Sequence, residues 1–447
     1  MKQIIVQFGG TGDLAKNKLL PAYFELCQKD YDFHVIALGR RYAERDEYIK
    51  KMVKDEHQKK AFLERISYIH YDMTKPDDNH KIADAIKAVA GKEKTEVTYY
   101  LALLPEFYDT AVGNIKQIDD LLGQKIQKKI VLEKPFGFDL ASSEKYNAIL
   151  NKEFSDEEIY RVDHYLGKEF VQNLLVMRFY NDIIQGIWNK DYIDHIQIII
   201  NETAGVDQRL GFYEKIGVVR DMVQNHILQI ITHLTMAEPA EFSAEEISEE
   251  KIKVLKSIRA VDEFVLGKYD GLGKDADHEV NTPTFAALKL YVDNFEFSGV
   301  PIYVKTGKKQ HCKCSSIYVK FKNFKTKTER KGHIDDNAMV ITIQPEMSID
   351  LLLNMKKPSE TWRSESVKLN FNHANTFKVN TPEAYEKILE KILAGDKTLF
   401  PREEEINESW KIVAPLLAAK KIAVHKDGKA PLEAEKLIEK DGRQWFN

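Results

Sequence analysis

The feature that most constrains this chain is a cluster of glycines placed directly after a short apolar run near its start. Ile4-Ile5-Val6-Gln7-Phe8 leads into Gly9-Gly10-Thr11-Gly12-Asp13-Leu14-Ala15-Lys16. The run has strand character and the residues beyond the glycines have helical character, so the turn joins a strand to a helix. Glycine at 9 permits the tight turn, glycine at 12 leaves room for a pyrophosphate beside the backbone, and Ala15 lets the helix pack closely on the strand. The start of that helix offers unpaired N–H groups to the phosphates. The G-x-x-G-x-x-A spacing is a variant of the Rossmann dinucleotide fingerprint, which makes Gly9, Gly10, Thr11, Gly12, Asp13 and Leu14 candidate cofactor contacts.

The rest of the first third repeats the pattern. Strand candidates are Ile4–Phe8, His34–Leu38, Thr98–Leu103, Lys129–Leu132 and Tyr160–Val162, with helices expected over Leu14–Gln28 and Asp46–Ile66. Pro21 inside the first helix implies a kink or a restart. Each strand candidate ends in glycine or polar residues: Gly39-Arg40-Arg41, Leu104-Pro105, Glu133-Lys134-Pro135 and Asp163-His164-Tyr165 join the glycine turn. In an open parallel sheet, ligands bind beyond the carboxyl ends of the strands, so these segments are expected to converge.

After about residue 170 strand-like runs cluster at His195–Asn201, Ala286–Val292, Ile317–Phe321, Met339–Gln344, Ser348–Leu353 and Val367–Phe371. Amphipathic helices are expected at Glu383–Ala394 and Glu403–Ala419. The expected fold class is therefore an α/β Rossmann dinucleotide-binding domain (residues 1–163), followed by an α+β domain (164–447) with a large, mostly antiparallel sheet.

Composition excludes several partners. The 66 basic and 70 acidic residues nearly cancel, leaving no field for nucleic acid or an anionic membrane surface. No apolar run reaches bilayer length, and the amino terminus enters a strand-like run without a cleavage site, so a cytoplasmic protein without a signal peptide is expected. The odd, sparse cysteines, Cys27, Cys312 and Cys314, fit reduced thiols. His311-Cys312-Lys313-Cys314 has no second ligand pair at zinc-site spacing, and no metal is expected.

Three segments carry the chemistry. Arg40 and Arg41 end the second strand, where an acid usually grips a ribose 2′-hydroxyl; guanidinium groups there suit a 2′-phosphate and favour NADP, with NAD the weaker alternative. Further on, Arg161-Val162-Asp163-His164-Tyr165-Leu166-Gly167-Lys168-Glu169 concentrates an acid, an imidazole, a phenol and an ammonium at a strand end. Arg220-Asp221-Met222-Val223-Gln224-Asn225-His226-Ile227-Leu228-Gln229 reads as a helix, because Met222, Val223, Ile227, Ile230 and Leu234 recur at helical spacing. By itself His226 reads as readily as a satisfied core histidine.

Asp-His-Tyr-Leu-Gly-Lys-Glu at 163–169 resembles the substrate signature of the glucose-6-phosphate dehydrogenases. Further blocks resemble that family in the same order: the turn at 9–16, Glu133-Lys134-Pro135-Phe136-Gly137, 220–229, Val300–Lys308, Ile343-Gln344-Pro345 and Gly395-Asp396-Lys397-Thr398-Leu399-Phe400. The resemblance implies oxidation of C1 of glucose 6-phosphate to the 6-phosphoglucono-lactone with NADP as acceptor, a step of the oxidative pentose phosphate pathway. It implies that His226 is the general base and Asp163 its orienting carboxylate, a pairing suited to removing the O1 proton. It further implies that His164, Tyr165 and Lys168 hold the phosphate, that Glu202 and Asp221 accept from sugar hydroxyls, and that Lys308 contacts substrate. Lys134 is expected at the junction of cofactor and substrate, with a cis bond before Pro135. Lys313 fits a nearby basic position by spacing alone. A homodimer or dimer of dimers, paired through the large sheet of the second domain, is also implied. Lys305 departs from the arginine common before Thr-Gly-Lys, and the tail, Ile438–Asn447, lacks the tyrosine- and glycine-rich ending of the family.

Overall fold

The short β-branched runs of the first third pair in parallel. In the computed structural model, which describes every residue except 124–125, 260, 324–335, 361–362, 379–381 and 447, two units are distinguished. The first comprises residues 1–168, 242–248 and 382–407. Its strands are β1 (Lys2–Phe8), β2 (Phe33–Gly39), β3 (Ile66–His70), β4 (Thr95–Leu101), β5 (Gln127–Glu133) and β6 (Ile159–Val162). They lie in the order β3-β2-β1-β4-β5-β6, all parallel. The chain therefore leaves β1 in one direction and returns to its other side for β4. That reversal opens a crevice at the carboxyl end of β1, where the glycines stand.

Two local expectations change. The helix expected over Asp46–Ile66 is broken: Arg45–Met52 is α-helical, Asp55–His57 and Lys60–Leu63 are single turns, and Ile66 begins β3. Val53 turns extended and buried, and the Gln58 side chain donates to its carbonyl (3.0 Å), which ends the first helix where apolar spacing alone does not. The helix after the glycine turn begins as a π-helix, Ala15–Leu19, and continues as an α-helix, Leu20–Gln28. Pro21 lies in the first turn of the α-helical part, where the chain passes from π to α geometry.

The helix Ala384–Ala394 belongs to this unit although it is remote in sequence. Tyr385, Ile388, Leu389 and Ile392 are buried, and Gly395 in the left-handed conformation (φ +73°) ends it. The buried Lys129 of β5 donates to the Ile392 carbonyl (2.8 Å) and pairs with Glu96 of β4 (2.7 Å).

The second unit comprises 169–241, 249–381 and 408–447. Its strands are β7 (Ile193–Asn201), β8 (Glu263–Tyr269), β9 (Phe285–Tyr291), β10 (Pro301–Gly307), β11 (Cys314–Phe321), β12 (Ala338–Gln344), β13 (Ser348–Lys356), β14 (Ser364–Asn372) and β15 (Ala423–His425). Among the described residues they form one sheet, β14-β13-β12-β11-β7-β10-β9-β8-β15. Pairing is antiparallel except for β7–β10 and β8–β15. The expected mostly antiparallel sheet is borne out; β8, β10 and β15 were not singled out as strands.

The tail packs on one face of this sheet. Trp445 is buried with Tyr303, Ala434 and Leu437, and Phe446 stacks on Tyr318 (centroids 4.5 Å apart). Arg443 forks onto Asp194 (3.1 and 3.2 Å), and His195 together with Arg443 holds that carboxyl well below the usual carboxylate range. Lys305 is buried over the Trp445 ring at 4.6 Å, and burial lowers its pKa. Side chains alternate along a strand, so Lys305 shares the tail-facing side of β10 with Tyr303.

Candidate active site

At the carboxyl end of β1 the Gly10 N–H donates to Leu38 O (2.8 Å), Gly12 N–H to Gly9 O (3.0 Å) and Lys16 N–H to Gly12 O (3.1 Å). Gly9 has φ +74°, and a Cβ there would collide with the Ala102 carbonyl, so only glycine fits. The turn opens onto a cavity of about 270 Å³ lined by Gly9, Thr11, Gly12, Gly39, Arg40 and Arg41, with Tyr71, Thr74, Ala102 and Phe107 opposite. Gly10 is buried behind it; Asp13 and Leu14 lead into the helix and do not line it. A glycine backbone at a helix start with guanidinium groups at the rim suits a dinucleotide. Arg40 Nη1 lies 3.9 Å from Asp72, whose carboxyl is held below its ordinary value by hydrogen bonds from the Thr74 backbone N–H (3.1 Å) and hydroxyl (2.8 Å). Asp72 was not singled out in the sequence, because β3, which leads to it, was not expected as a strand.

Other residues expected at the site stand at the ends of β5 and β6. Lys134 follows β5, and the Lys134–Pro135 bond is cis. Asp163 follows β6, is 2% exposed, and accepts from the Tyr165 N–H (2.9 Å). Leu166 N–H donates to Asp163 O and Lys168 N–H to Tyr165 O, each at 3.0 Å, which folds residues 163–168 into consecutive turns. Lys168 Nζ sits 3.7 Å from the centroid of the Tyr165 ring, a cation–π contact. The His164 ring stacks on Tyr385 at 6.3 Å with 12° between planes.

Tyr385 in turn donates to Glu133 Oε2 (3.2 Å), while Tyr100 donates to Oε1 (2.6 Å). Burial pushes the Glu133 carboxyl up to about 7, against the two tyrosine hydrogen bonds and the charge of Lys134. Tyr385 and Tyr100 were missed. Tyr385 lies on a helix whose apolar periodicity marks it only as structural, and no local signal ties it to β5.

In the second unit the His226 segment is helical but π-helical, over Val219–Ile227, before an α-helix at Leu228–Thr235. Gly217 (φ +62°) separates it from the preceding turns. Wide π turns recur at functional positions because they displace a side chain from its α-helical place. His226 is 0% exposed, and its backbone N–H donates to Asn225 Oδ1 (2.7 Å).

Glu202 and Lys308 each follow the end of a strand, β7 and β10, and these two strands are parallel with Asn201 opposite Gly307. Lys308 Nζ consequently reaches Glu202 Oε2, and it lies 2.9 Å from Asp221 Oδ2. Burial disfavours the Lys308 charge, but Asp221 and Glu202 outweigh it and raise its pKa. Three residues expected to touch substrate thus form one ionic cluster. Lys313 is exposed and lies between Cys312 and Cys314, outside that cluster. Those two cysteines are disulfide-bonded, correcting the expectation of reduced thiols; Cys27 is free and buried. Their Cα atoms are 5.6 Å apart.

A doubly wound parallel sheet with a phosphate-binding glycine turn, joined in one chain to a large mixed sheet bearing an acid–lysine cluster, defines an oxidoreductase that uses a nicotinamide dinucleotide. Residues 6–173 match the family model for the NAD binding domain of glucose-6-phosphate dehydrogenase, and 175–446 the model for its C-terminal domain. The chain belongs to the glucose-6-phosphate dehydrogenase family. It is 36% identical to glucose-6-phosphate 1-dehydrogenase of Bacillus subtilis, over 100% of this chain and 98% of that one. It is 34% identical to a cytoplasmic isoform from Solanum tuberosum, over 98% and 91%. A solved glucose-6-phosphate dehydrogenase in complex with its substrate glucose-6-phosphate is 30% identical, with a TM-score of 0.91 over 100% of this chain and 98% of that one. A second, from Mycobacterium avium, is 28% identical with a TM-score of 0.88 over 99% and 98%.

Proposed function

We propose that this protein oxidises glucose 6-phosphate at C1 to 6-phospho-D-glucono-1,5-lactone with NADP as acceptor, as a cytoplasmic enzyme of the oxidative pentose phosphate pathway. The observation that carries this reading is the full-length likeness to a dehydrogenase solved with that substrate, on a chain that keeps an acid, a base and lysines at the matching blocks. NADP over NAD is supported by Arg40 and Arg41 at the cavity rim. Bound dinucleotide supplies the hydride acceptor.

His226 takes the O1 proton as the C–H bond breaks, and Asp163 orients its imidazole and stabilises the charge it gains. His164, Tyr165 and Lys168 supply donors and positive charge to the phosphate. Glu202 and Asp221 accept from sugar hydroxyls. Lys308 pairs with both carboxylates and offsets part of their mutual repulsion, and it donates to the sugar in turn. Lys134 holds a hydroxyl at the nicotinamide side, and Lys313 adds peripheral charge.

The described helices include none long and apolar enough to cross a membrane. We propose a homodimer or dimer of dimers paired through the large sheet, on the family resemblance. The test is reduction of NADP and of NAD, followed by absorbance, with glucose 6-phosphate and with glucose. Turnover restricted to the phosphorylated sugar is expected. Equal turnover of the two sugars overturns the phosphate site, and dinucleotide binding without turnover overturns the enzyme reading.

A further inference from the structure

The segment Gly395–Phe400 stood out in the sequence, yet it supplies nothing to the chemistry above. In the first unit it lines a hollow of about 360 Å³, a size that takes a small molecule, together with Glu157, Tyr160, Glu245 and Arg402. Lys397 Nζ donates to the Asp156 carbonyl, which ties the chain beyond the helix Ala384–Ala394 to the turn before β6. Among the described residues Lys397 has no carboxylate within ion-pair distance, and burial lowers its pKa. Tyr160 is 2% exposed, and its hydroxyl makes no hydrogen bond among the described residues. Burial and the charges of Glu96 and Glu157 raise its pKa, so it stays a protonated donor.

The acids of the wall divide into two kinds. Asp396 is already satisfied: Lys391 pairs with one oxygen (2.5 Å), and the Thr398 N–H and hydroxyl donate to the other (2.9 and 2.7 Å). Glu157 and Glu245 are exposed and make no hydrogen bond or ion pair among the described residues. An anion without a positive group would face those two carboxylates, and a cation without a negative group would face Lys397 and Arg402. Two cations and two carboxylates balance, so a ligand carrying one charge of each sign suits the whole wall. Phe400 meets the Tyr160 ring edge-on, centroids 4.9 Å apart, and adds an apolar surface for a side chain.

We propose that this hollow binds a free α-amino acid as its zwitterion, and that occupancy strengthens sugar-phosphate binding. The ligand carboxylate lies on Lys397, Arg402 and the Tyr160 hydroxyl, and its ammonium on Glu157 and Glu245. The route to the substrate residues is short. Tyr160 stands near the start of β6, and Asp163 follows the end of that strand. Gly395 ends the helix whose first turn carries Tyr385, the ring on which His164 stacks. Lys397 Nζ already lies 5.6 Å from the centroid of the Tyr160 ring. A ligand shared by these two side chains fastens the far ends of two elements whose near ends carry the candidate substrate residues. The coupling half of the proposal rests on the reading of Asp163 and His164 as parts of the substrate site.

The experiment titrates each of the common L-amino acids into the full-length protein by calorimetry. Each one that binds is compared with its 2-hydroxy-acid analogue, which lacks the ammonium. At least one amino acid should bind, and its hydroxy acid should bind about tenfold or more weaker, the worth of a charge-assisted contact. Lys397→Gln, and Glu245→Gln on an exposed side chain, should each weaken the amino acid about tenfold, with thermal unfolding showing that both variants are folded. With the amino acid bound, affinity for glucose 6-phosphate should rise about fivefold, the low end of coupling between sites, and the rise should be lost in E245Q. Binding of no amino acid, an equally tight hydroxy acid, or undiminished binding in both variants overturns the site. Unchanged glucose 6-phosphate affinity overturns the coupling. Absence of sugar-phosphate binding with and without the amino acid overturns the functional reading and the coupling with it, whereas the amino-acid titration judges the site independently.

Discussion

The two sheets place their candidate functional residues by one rule, but they apply it on different scales. In the first unit all six strands are parallel, so every carboxyl end faces the same way and every βα turn is a candidate: Gly9–Gly12, Arg40, Lys134 and Asp163 all follow strands. In the second unit the sheet is mostly antiparallel, and β7 and β10 are parallel partners within it. Glu202 and Lys308 follow those two strands and meet. A single parallel pair inside an antiparallel sheet recreates, locally, the strand-end convergence that the first unit has throughout. The difference is in redundancy. The first unit presents many turns to one crevice, whereas the second relies on one register, so its cluster is the more sensitive to a single side chain.

The largest expected effect tests the base rather than either strand end. His226→Asn should lower kcat by about 10³-fold, in the range for a lost general base, with KM for glucose 6-phosphate nearly unchanged; near-normal kcat would remove His226 from that role. Next, Lys308→Ala leaves Glu202 and Asp221 facing each other without their cation, and should raise KM for the sugar phosphate about 100-fold, as for an uncompensated buried charge. An effect no larger than that of a surface lysine would show that the β7–β10 register does not matter for binding.

In the first unit, Gly9→Ala forces a side chain into a left-handed turn against Ala102 and should cost about 2 kcal/mol of stability, read by thermal unfolding together with weakened dinucleotide binding. Arg40→Ala should raise KM for NADP about tenfold, the value of one charge-assisted contact, and leave KM for NAD little changed. Equal effects on both cofactors would contradict a 2′-phosphate contact. The smallest effect concerns Glu133. Its carboxyl titrates near 7 in the folded chain, above its ordinary 4.5. Its contribution is therefore full below about pH 4.5 and is lost as pH rises through about 7. Glu133→Gln should flatten that fall, visible in melting temperatures measured between pH 5 and 8.

The legibility of these regions in the sequence follows the same contrast. The parallel sheet was readable because strand, turn and helix alternate within short windows, and the chemically unusual residues sit immediately after each strand. β3 was the exception: charged, helix-compatible residues before Ile66 disguised where the helix stops. In the second unit most strands were readable, but their pairing was not. The helical spacing of Met222, Val223 and Ile227 marked a helix without separating α from π geometry, since residues four apart share a face in both. The helix Ala384–Ala394 declared its apolar face and nothing about its partner. That partner proved to be the parallel sheet, where Tyr385 bridges Glu133 and His164.

The sequence by itself determined the class of each unit, the dinucleotide turn and the residue types available for acid–base chemistry, because periodicity and turn composition are properties of neighbouring residues. The tertiary structure decided that β7 lies beside β10 across about a hundred residues, that Glu202 and Asp221 share Lys308, that Tyr385 reaches Glu133, and that Cys312 and Cys314 bond. Such pairings depend on which apolar faces cover one another once the whole chain has folded, and no local window carries that information.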